Sequence, residues 1–381
     1  MTTSKLQIPV VSIIPGIGEA VRQQLASSTA SSPAAEMYKS NQLEIVELPL
    51  PVVCPPSASN NHQPKGVTVQ AVATAPLWNL DHKQQLILEQ AEVLLIDAHL
   101  AAPLLLAPKS NLPFDLQHLL KKVRWVQGTY AGVDSYHQFP EAPPDPGFTV
   151  SRAGGIMPTA LAQFVFGYVI AIERKLFEAK AYQEKRVFGR WELKYRSFRQ
   201  LTVGILGLGD VGQEIGRTFK ASGFQVVGFK RCVSSEDRKT LDSSADCVSA
   251  DLSEVLEQSD YVVNVLPSTD ATRYLLTENA LEVCRKKQPV FINVGRGDIV
   301  SEDTIINALE KGLLSKAVLD VFEKEPLPEE SPLWSHPNVI LTPHIAGTVF
   351  PEDVAGVFVK NLNRYLEGRP VLYQMDWLAG Y

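Results

Sequence analysis

Short apolar runs recur along the chain, separated by longer segments in which polar and apolar positions mix. Residues 10–14 (VVSII), 43–48 (LEIVEL), 93–96 (VLLI) and 123–126 (VRWV) have the length and make-up of strands. Residues 18–25 and 83–91 have the mixed pattern of helices. Strands alternating with helices predict a parallel sheet covered on both faces. Residues 49–76, rich in Pro, Ser, Asn, Gln and Gly, break the pattern and are expected to form a surface loop. Residues 140–147 (PEAPPDPG) are expected as a connection near a domain edge.

From residue 158 the alternation is more regular. Residues 158–176 predict a long helix with Pro at its start, where the missing N–H does no harm. An apolar strand at 201–206 (LTVGIL) runs into Gly207-Leu208-Gly209-Asp210-Val211-Gly212, followed by a helix at 213–222 and a strand at 225–229. Further strands are expected at 261–266, 290–294, 316–321 and 339–342, each after a segment of helical character. No internal repeat is visible.

With 381 residues, 45% of them hydrophobic, the chain has material for about two domains at roughly 150 residues each. Its 36 basic and 42 acidic side chains leave a formal charge of −6, which argues against a nucleic-acid or anionic-membrane binder. Cys54, Cys232, Cys247 and Cys284 form no CxxC pair and none lies near a His at ligand spacing, so free thiols in a reducing compartment are expected, and no metal. The N-terminal residues lack the pattern of a secretory signal. The apolar stretch 157–172 contains Gln163 and falls short of the roughly 18 residues of a membrane span. These features predict a cytoplasmic protein.

The GLGDVG segment stands between a predicted strand and a predicted helix, the context in which GxGxxG binds a dinucleotide. Gly207 permits the tight turn, Gly209 lets the backbone approach a pyrophosphate, and Gly212 lets helix and strand pack closely. The helix then turns its free N–H groups toward the anion. An acidic residue at the end of the next strand would accept hydrogen bonds from a ribose 2′-hydroxyl. Here that strand ends in Phe229-Lys230-Arg231-Cys232, with no carboxylate before Glu236. Lys230 and Arg231 suit a 2′-phosphate, so NADP(H) is the preferred cofactor, with NAD(H) as the second one the motif admits.

Three later strand ends carry charge, where ligands bind in such sheets. Arg296 stands between Gly295 and Gly297, Glu325 precedes Pro326, and His344 follows Pro343. Singly, each has an ordinary reading as a helix cap, a loop charge or a structural imidazole. On successive strand ends of one nucleotide-binding sheet they form a substrate-anion clamp, an orienting carboxylate and a proton donor. The other six histidines (His62, His82, His99, His118, His137 and His336) lack that setting.

GLGDVG, LPSTDATRYLL, NVGRGDIV, LDVFEKEP and TPHIAG, in that order, resemble the D-isomer-specific 2-hydroxyacid dehydrogenases, and more narrowly their glyoxylate/hydroxypyruvate reductase branch. The similarity is dense from about residue 150 to 347. Before that it is carried by Gly128-Thr-Tyr-Ala-Gly-Val-Asp134, which resembles the family's substrate loop. The resemblance implies reduction of a small 2-oxo acid to the D-2-hydroxy acid, with Arg296 binding substrate, His344 as general acid and Glu325 holding His344. Backbone N–H groups at Tyr130, Ala131 and Gly132 would meet the substrate carboxylate. Leu208, Asp210 and Val211 would lie over the pyrophosphate, and Leu266 and Pro267 near the adenosine. Asn293 and Val294 would line the nicotinamide pocket, with Asp320, His344 and Gly347 also on the cofactor side.

The implied fold is α/β, with two Rossmann-like or flavodoxin-like parallel-sheet domains and an active-site cleft between them. Residues 1–151, completed by 346–381, would bind substrate, and residues 152–345 would bind NAD(P). The resemblance also implies a homodimer through the cofactor domain, with the 158–172 helix as a candidate interface. The alternative for that helix is burial within one chain. Two departures stand out. Gln163 occupies a position where the family usually has Glu, and the N-terminal region is longer through its Pro/Ser/Asn-rich stretch. A dinucleotide-sensing corepressor-type binding protein is the rival from another class. The complete Arg296, Glu325 and His344 set leans against it, as Glu325 does against a formate dehydrogenase.

Overall fold

The structure is a computed structural model that describes residues 5–28, 32–51, 78–106, 117–139, 146–231 and 241–378. Most of the 49–76 stretch, residues 140–145, Cys54, His62, Cys232 and Glu236 lie outside the described residues. The chain divides into two compact units, Met1–Ile156 with Val349–Tyr381, and Met157–Thr348. The sequence expectation placed these boundaries at 151/152 and 345/346.

In chain order the first unit contains β1 (Leu6–Val11), α1 (Ile17–Ser27), α2 (Pro33–Lys39), β2 (Leu43–Glu47), α3 (His82–Gln90), β3 (Val93–Ile96), α4 (Ala98–Leu106), β4 (Trp125–Gly128) and β5 (Thr149–Ser151). The second contains α5 (Pro158–Glu173), α6 (Leu176–Glu184), β6 (Thr202–Leu206), α7 (Asp210–Ala221), β7 (Gln225–Phe229), β8 (Cys247–Ser249), α8 (Leu252–Gln258) and β9 (Tyr261–Asn264). It continues through α9 (Glu278–Leu281), β10 (Val290–Asn293), α10 (Glu302–Glu310), β11 (Lys316–Leu319) and β12 (Val339–Leu341), and α11 (Pro351–Leu366) then returns to the first unit.

The first sheet has the order β2-β1-β3-β4-β5, the flavodoxin-like arrangement. Its apolar runs are continuous because both faces are covered. Val93 and Leu95 of β3 pack with α1 and α11, whereas Leu94 and Ile96 pack with α4 on the other face. Trp125 stacks on Phe358 and Tyr365 of α11, with ring centroids 5.6 and 5.4 Å apart. Strand β4 lies two residues later than its apolar pattern suggested. Its penultimate residue, Gln127, is buried but fully engaged: its carbonyl accepts from Ser151 Oγ and Asn361 Nδ2, and its amide donates to the Gly128 carbonyl.

The second sheet runs β12-β11-β10-β9-β6-β7-β8, all parallel. Counted from β6, this is the doubly wound order with its reversal between β6 and β9, the point where such sheets bind dinucleotides. Val203, Ile205, Tyr261, Val263 and Ile292 face α5 and α7, and Leu206, Val262 and Phe291 face α8 and α10. Helix α5 packs a stripe of Ala162, Val165, Val169 and Ile172 within its own unit, leaving Leu161, Phe164, Phe166, Tyr168 and Ile170 partly buried. No helix among the described residues is long and apolar enough to cross a membrane.

Candidate active site

Each candidate side chain follows the carboxyl end of a parallel strand. After β6, Gly207 bends the chain with φ 101°, a left-handed value that suits glycine. A side chain at Gly212 would meet the Gly207 carbonyl oxygen at 1.9 Å, so helix α7 packs against the turn as closely as a glycine allows. Nothing lies within 4 Å of where a Gly209 side chain would stand, and no side chain caps α7, whose first turn begins at Asp210. The N–H groups of that turn have no partner within the helix. An open approach, bare N–H donors and the positive end of α7 fit a pyrophosphate. Leu208 is buried over Gly228 of β7, whereas Asp210 is exposed and Val211 half-buried.

Strand β7 delivers Lys230, half-buried, and Arg231, exposed, and the Lys230 backbone N–H donates to the Ser249 carbonyl. After β9, Leu266 stands beside the glycine turn, with its Cδ2 3.1 Å from where a Gly207 side chain would begin. After β10, Val294 is buried and Arg296 is half-buried, with its Nη1 donating to the Gly295 carbonyl at 2.8 Å.

Glu325 and His344 meet across 19 residues of sequence. His344 Nδ1 lies 2.8 Å from Glu325 Oε2, and the Phe322 N–H donates to Glu325 Oε1 at 3.0 Å. The Glu325 hydrogen bond, against the opposing effect of burial, raises the His344 pKa above its ordinary value. Burial acts upward on Glu325, but the His344 hydrogen bond, the Phe322 N–H and the positive charges of His344 and Arg296 together carry it below the usual carboxylate range. The Arg296 charge acts on both partners, so the three residues are gathered electrostatically as well as by topology. The His344 side chain remains 55% exposed.

His344 adopts φ 55°, unusual for a residue with a side chain. Asp320, at the end of β11 and 1% exposed, holds that turn. Its Oδ1 accepts from the Thr342 hydroxyl (2.6 Å) and the Ile345 N–H (2.9 Å), and its Oδ2 from the Ala346 N–H (2.9 Å). Its carbonyl also accepts from the His344 N–H (2.9 Å). Both carboxylate oxygens of Asp320 are therefore engaged by the segment carrying His344. Gly347 ends that segment, and a side chain there would meet Met157 Sδ at 2.7 Å.

In the first unit, Tyr130, Ala131 and Gly132 are half-buried after β4. Asp97, fully buried after β3, accepts from Ser12 Oγ (2.6 Å), the Ile13 N–H (2.8 Å) and the Thr129 hydroxyl, binding together the loops that follow β1, β3 and β4. Nothing in the local sequence marked Asp97; its part depends on two neighbouring strands. Cys247 is exposed and Cys284 buried, both free. Among the described residues no three His, Cys, Asp or Glu side chains group as metal ligands.

Residues 166–346, which include the glycine turn, Arg296, Glu325 and His344, match the NAD-binding domain of the D-isomer specific 2-hydroxyacid dehydrogenases. The chain is 32% identical over 259 residues to glyoxylate/hydroxypyruvate reductase A of Escherichia fergusonii, covering 66% of this chain and 80% of that protein. Among solved structures it is similar to a D-isomer specific 2-hydroxyacid dehydrogenase family protein from Aeromonas salmonicida subsp. salmonicida, with TM-score 0.70 and 28% identity over 98% of this chain and 100% of that one. It is also similar to a D-isomer specific 2-hydroxyacid dehydrogenase from Xanthobacter autotrophicus Py2 in complex with NADPH and MES, with TM-score 0.70 and 26% identity over 99% and 100% of the two chains.

Proposed function

Because the chain belongs to the D-isomer specific 2-hydroxyacid dehydrogenases, a family of NAD(P)-dependent oxidoreductases, we propose that it reduces a small 2-oxo acid such as glyoxylate or hydroxypyruvate. The product is the 2-hydroxy acid, of D configuration where it is chiral, and NADPH is preferred to NADH. The observation that carries this reading is the His344–Glu325 contact of 2.8 Å, with the Arg296 charge acting on both partners.

A nicotinamide held by the second unit would supply the hydride to the carbonyl carbon. Arg296 holds the substrate carboxylate and draws electron density toward the carbonyl oxygen. Negative charge develops on the carbonyl oxygen, and His344 Nε2 transfers its proton there, a contribution of ~10²–10⁴-fold for a positioned general acid. Glu325 fixes the ring through Nδ1 and keeps it protonated. Lys230 and Arg231, at the exit of β7, receive the 2′-phosphate that distinguishes NADPH.

The second unit also pairs two copies of the chain. Helix α6 buries none of its residues, and Leu176, Phe177, Val187, Phe188, Trp191 and Tyr195 are exposed in and after it, apolar side chains that a second copy would cover.

Steady-state rates with glyoxylate, hydroxypyruvate and a bulkier 2-oxo acid, measured in parallel with NADPH and NADH, test the reading. Turnover with NADPH favoured by an order of magnitude is expected. Preference for NADH removes the part given to Lys230 and Arg231, and no turnover of any 2-oxo acid removes the enzyme assignment.

A further inference from the structure

We infer that Asn264 is a positioning residue for this reaction, because a buried amide pair, Asn264 and Asn293, joins the turn bearing Arg296 to the turn beside the glycine bend. The inference rests on the reading that Arg296 binds the substrate.

The two asparagines are register partners at the ends of β9 and β10, 0% and 1% exposed. Asn264 Nδ2 donates to Asn293 Oδ1 at 2.8 Å, and Asn264 Oδ1 accepts from the Leu266 N–H at 3.2 Å. Asn293 Oδ1 also accepts from the Gly295 N–H (3.2 Å), and Asn293 Nδ2 donates to the Arg296 carbonyl (3.0 Å). Asn264 thus gives its carbonyl to its own turn and its NH₂ to Asn293, whereas Asn293 uses both ends on the turn bearing Arg296 and shares its Oδ1 with Asn264. The Asn293 side chain, expected from the sequence to line the nicotinamide pocket, is engaged in this joint.

The joint requires amides. A carboxylate at 264 would set oxygen against Asn293 Oδ1, which already accepts the Gly295 N–H, and a buried acceptor pair without a proton between them is costly. The fit is also tight. A side chain at Gly295 would stand 2.8 Å from Asn264 Nδ2 and 2.8 Å from the Leu266 carbonyl. A second tie lies nearer the surface, where Ser268 Oγ donates to Asp298 Oδ2 and the Tyr274 and Leu276 N–H groups donate to the Asp298 and Ile299 carbonyls. Residues 265–276 and 294–299 are therefore fastened at both ends, and Leu266 carries the linkage to the Gly207 bend. A shift of one turn is a shift of both, so the substrate clamp and the cofactor cradle share one setting.

The test is Asn264→Asp, alone and combined with Arg296→Ala, read as kcat and KM for glyoxylate and as Kd for NADPH by fluorescence. Asn264→Asp alone should lower kcat/KM by ~10–10²-fold, with glyoxylate KM and NADPH Kd both raised. In the Arg296→Ala background the same change should cost ~3-fold or less, because the group it positions is gone. Full multiplicativity, or unchanged KM and Kd with only a lowered melting temperature, overturns the inference. Should Asn264→Asp not fold, Gly295→Ala presses on the same joint from the other side and carries the same expectations. Arg296→Ala alone with a native KM and kcat would instead overturn the reading of Arg296, a distinguishable result.

Discussion

Replacing Asp320 by Asn separates its hold on the His344 turn from the cofactor-side place that the resemblance implies for it. Asp320 gives Oδ1 to the Thr342 hydroxyl and Ile345 N–H and Oδ2 to the Ala346 N–H. An asparagine keeps one acceptor and turns an NH₂ toward at least one of these donors. One hydrogen bond to a charged acceptor is worth ~1.5–3 kcal/mol and a buried donor left without a partner costs ~1–3 kcal/mol, which overlap because the same N–H is involved. We therefore expect a loss of about 2–4 kcal/mol. The segment concerned holds His344 at φ 55°, a conformation that persists only where its surroundings enforce it. A displacement of about 1 Å at the imidazole would reduce kcat ~10²-fold. Urea unfolding followed by circular dichroism, together with kcat for glyoxylate and KM for NADPH, reads both effects. An unchanged unfolding midpoint with a raised NADPH KM would refute the reasoning and make Asp320 a direct cofactor contact.

His344→Ala and Arg296→Ala should each lower the rate of 2-oxo acid reduction by ~10²–10⁴-fold, and near-native steady-state rates in both would sink the proposed chemistry. Since the Glu325 hydrogen bond raises the His344 pKa, reduction should hold its rate at low pH and lose it as pH rises through that raised value, with oxidation of the 2-hydroxy acid showing the opposite limb. Glu325→Gln should move the alkaline limb of kcat/KM to lower pH, and a limb that stays in place would deny Glu325 its part. The pair's stabilising effect has two edges: the His344 contribution is full below the unfolded histidine value and lost as pH rises through the folded one, and that of Glu325 is lost as pH falls through its lowered value. Lys230→Ala with Arg231→Ala should raise the NADPH KM at least ~10-fold with little change for NADH, and the difference should shrink at high salt; equal effects on both cofactors would count against a 2′-phosphate contact.

The parallel sheets were readable because strands buried on both faces need near-continuous apolar runs, as in 93–96 and 290–292, and the segments between them mix polar and apolar positions. The glycine turn was readable because its function is contiguous in sequence. Arg296, Glu325 and His344 are far apart in sequence, yet each follows a strand, and sheet order brings such positions together. What the sequence did not disclose depends on pairing across strands. Asn264 looked like an ordinary residue of an apolar run until its partner 29 residues away was known. Asp97 acts on Ser12 and Thr129, 85 and 32 residues distant. Helix α4 was not legible because Pro103 lies within a segment that is apolar but for His99 and shows no helical periodicity. The bounds of β4 differ from the 123–126 expectation by two residues because Gln127 and Gly128 are polar or small, and the burial of Gln127 rests on Ser151 and Asn361.

That last contact bears on how the protein is made. Gln127 bonds to Asn361 of α11, 234 residues further along, and the second unit lies wholly between them. During synthesis at ~5–20 residues per second, the ribosome needs tens of seconds to deliver that partner. Meanwhile the nucleotide-binding half can complete itself, while the opening segment waits with Trp125 unstacked and one face of its sheet covered by α1 but not by α11. The nascent chain is therefore most exposed to chaperones and proteases in its earliest-made part, and a message truncated before α11 would yield a sound cofactor module attached to an unfinished partner.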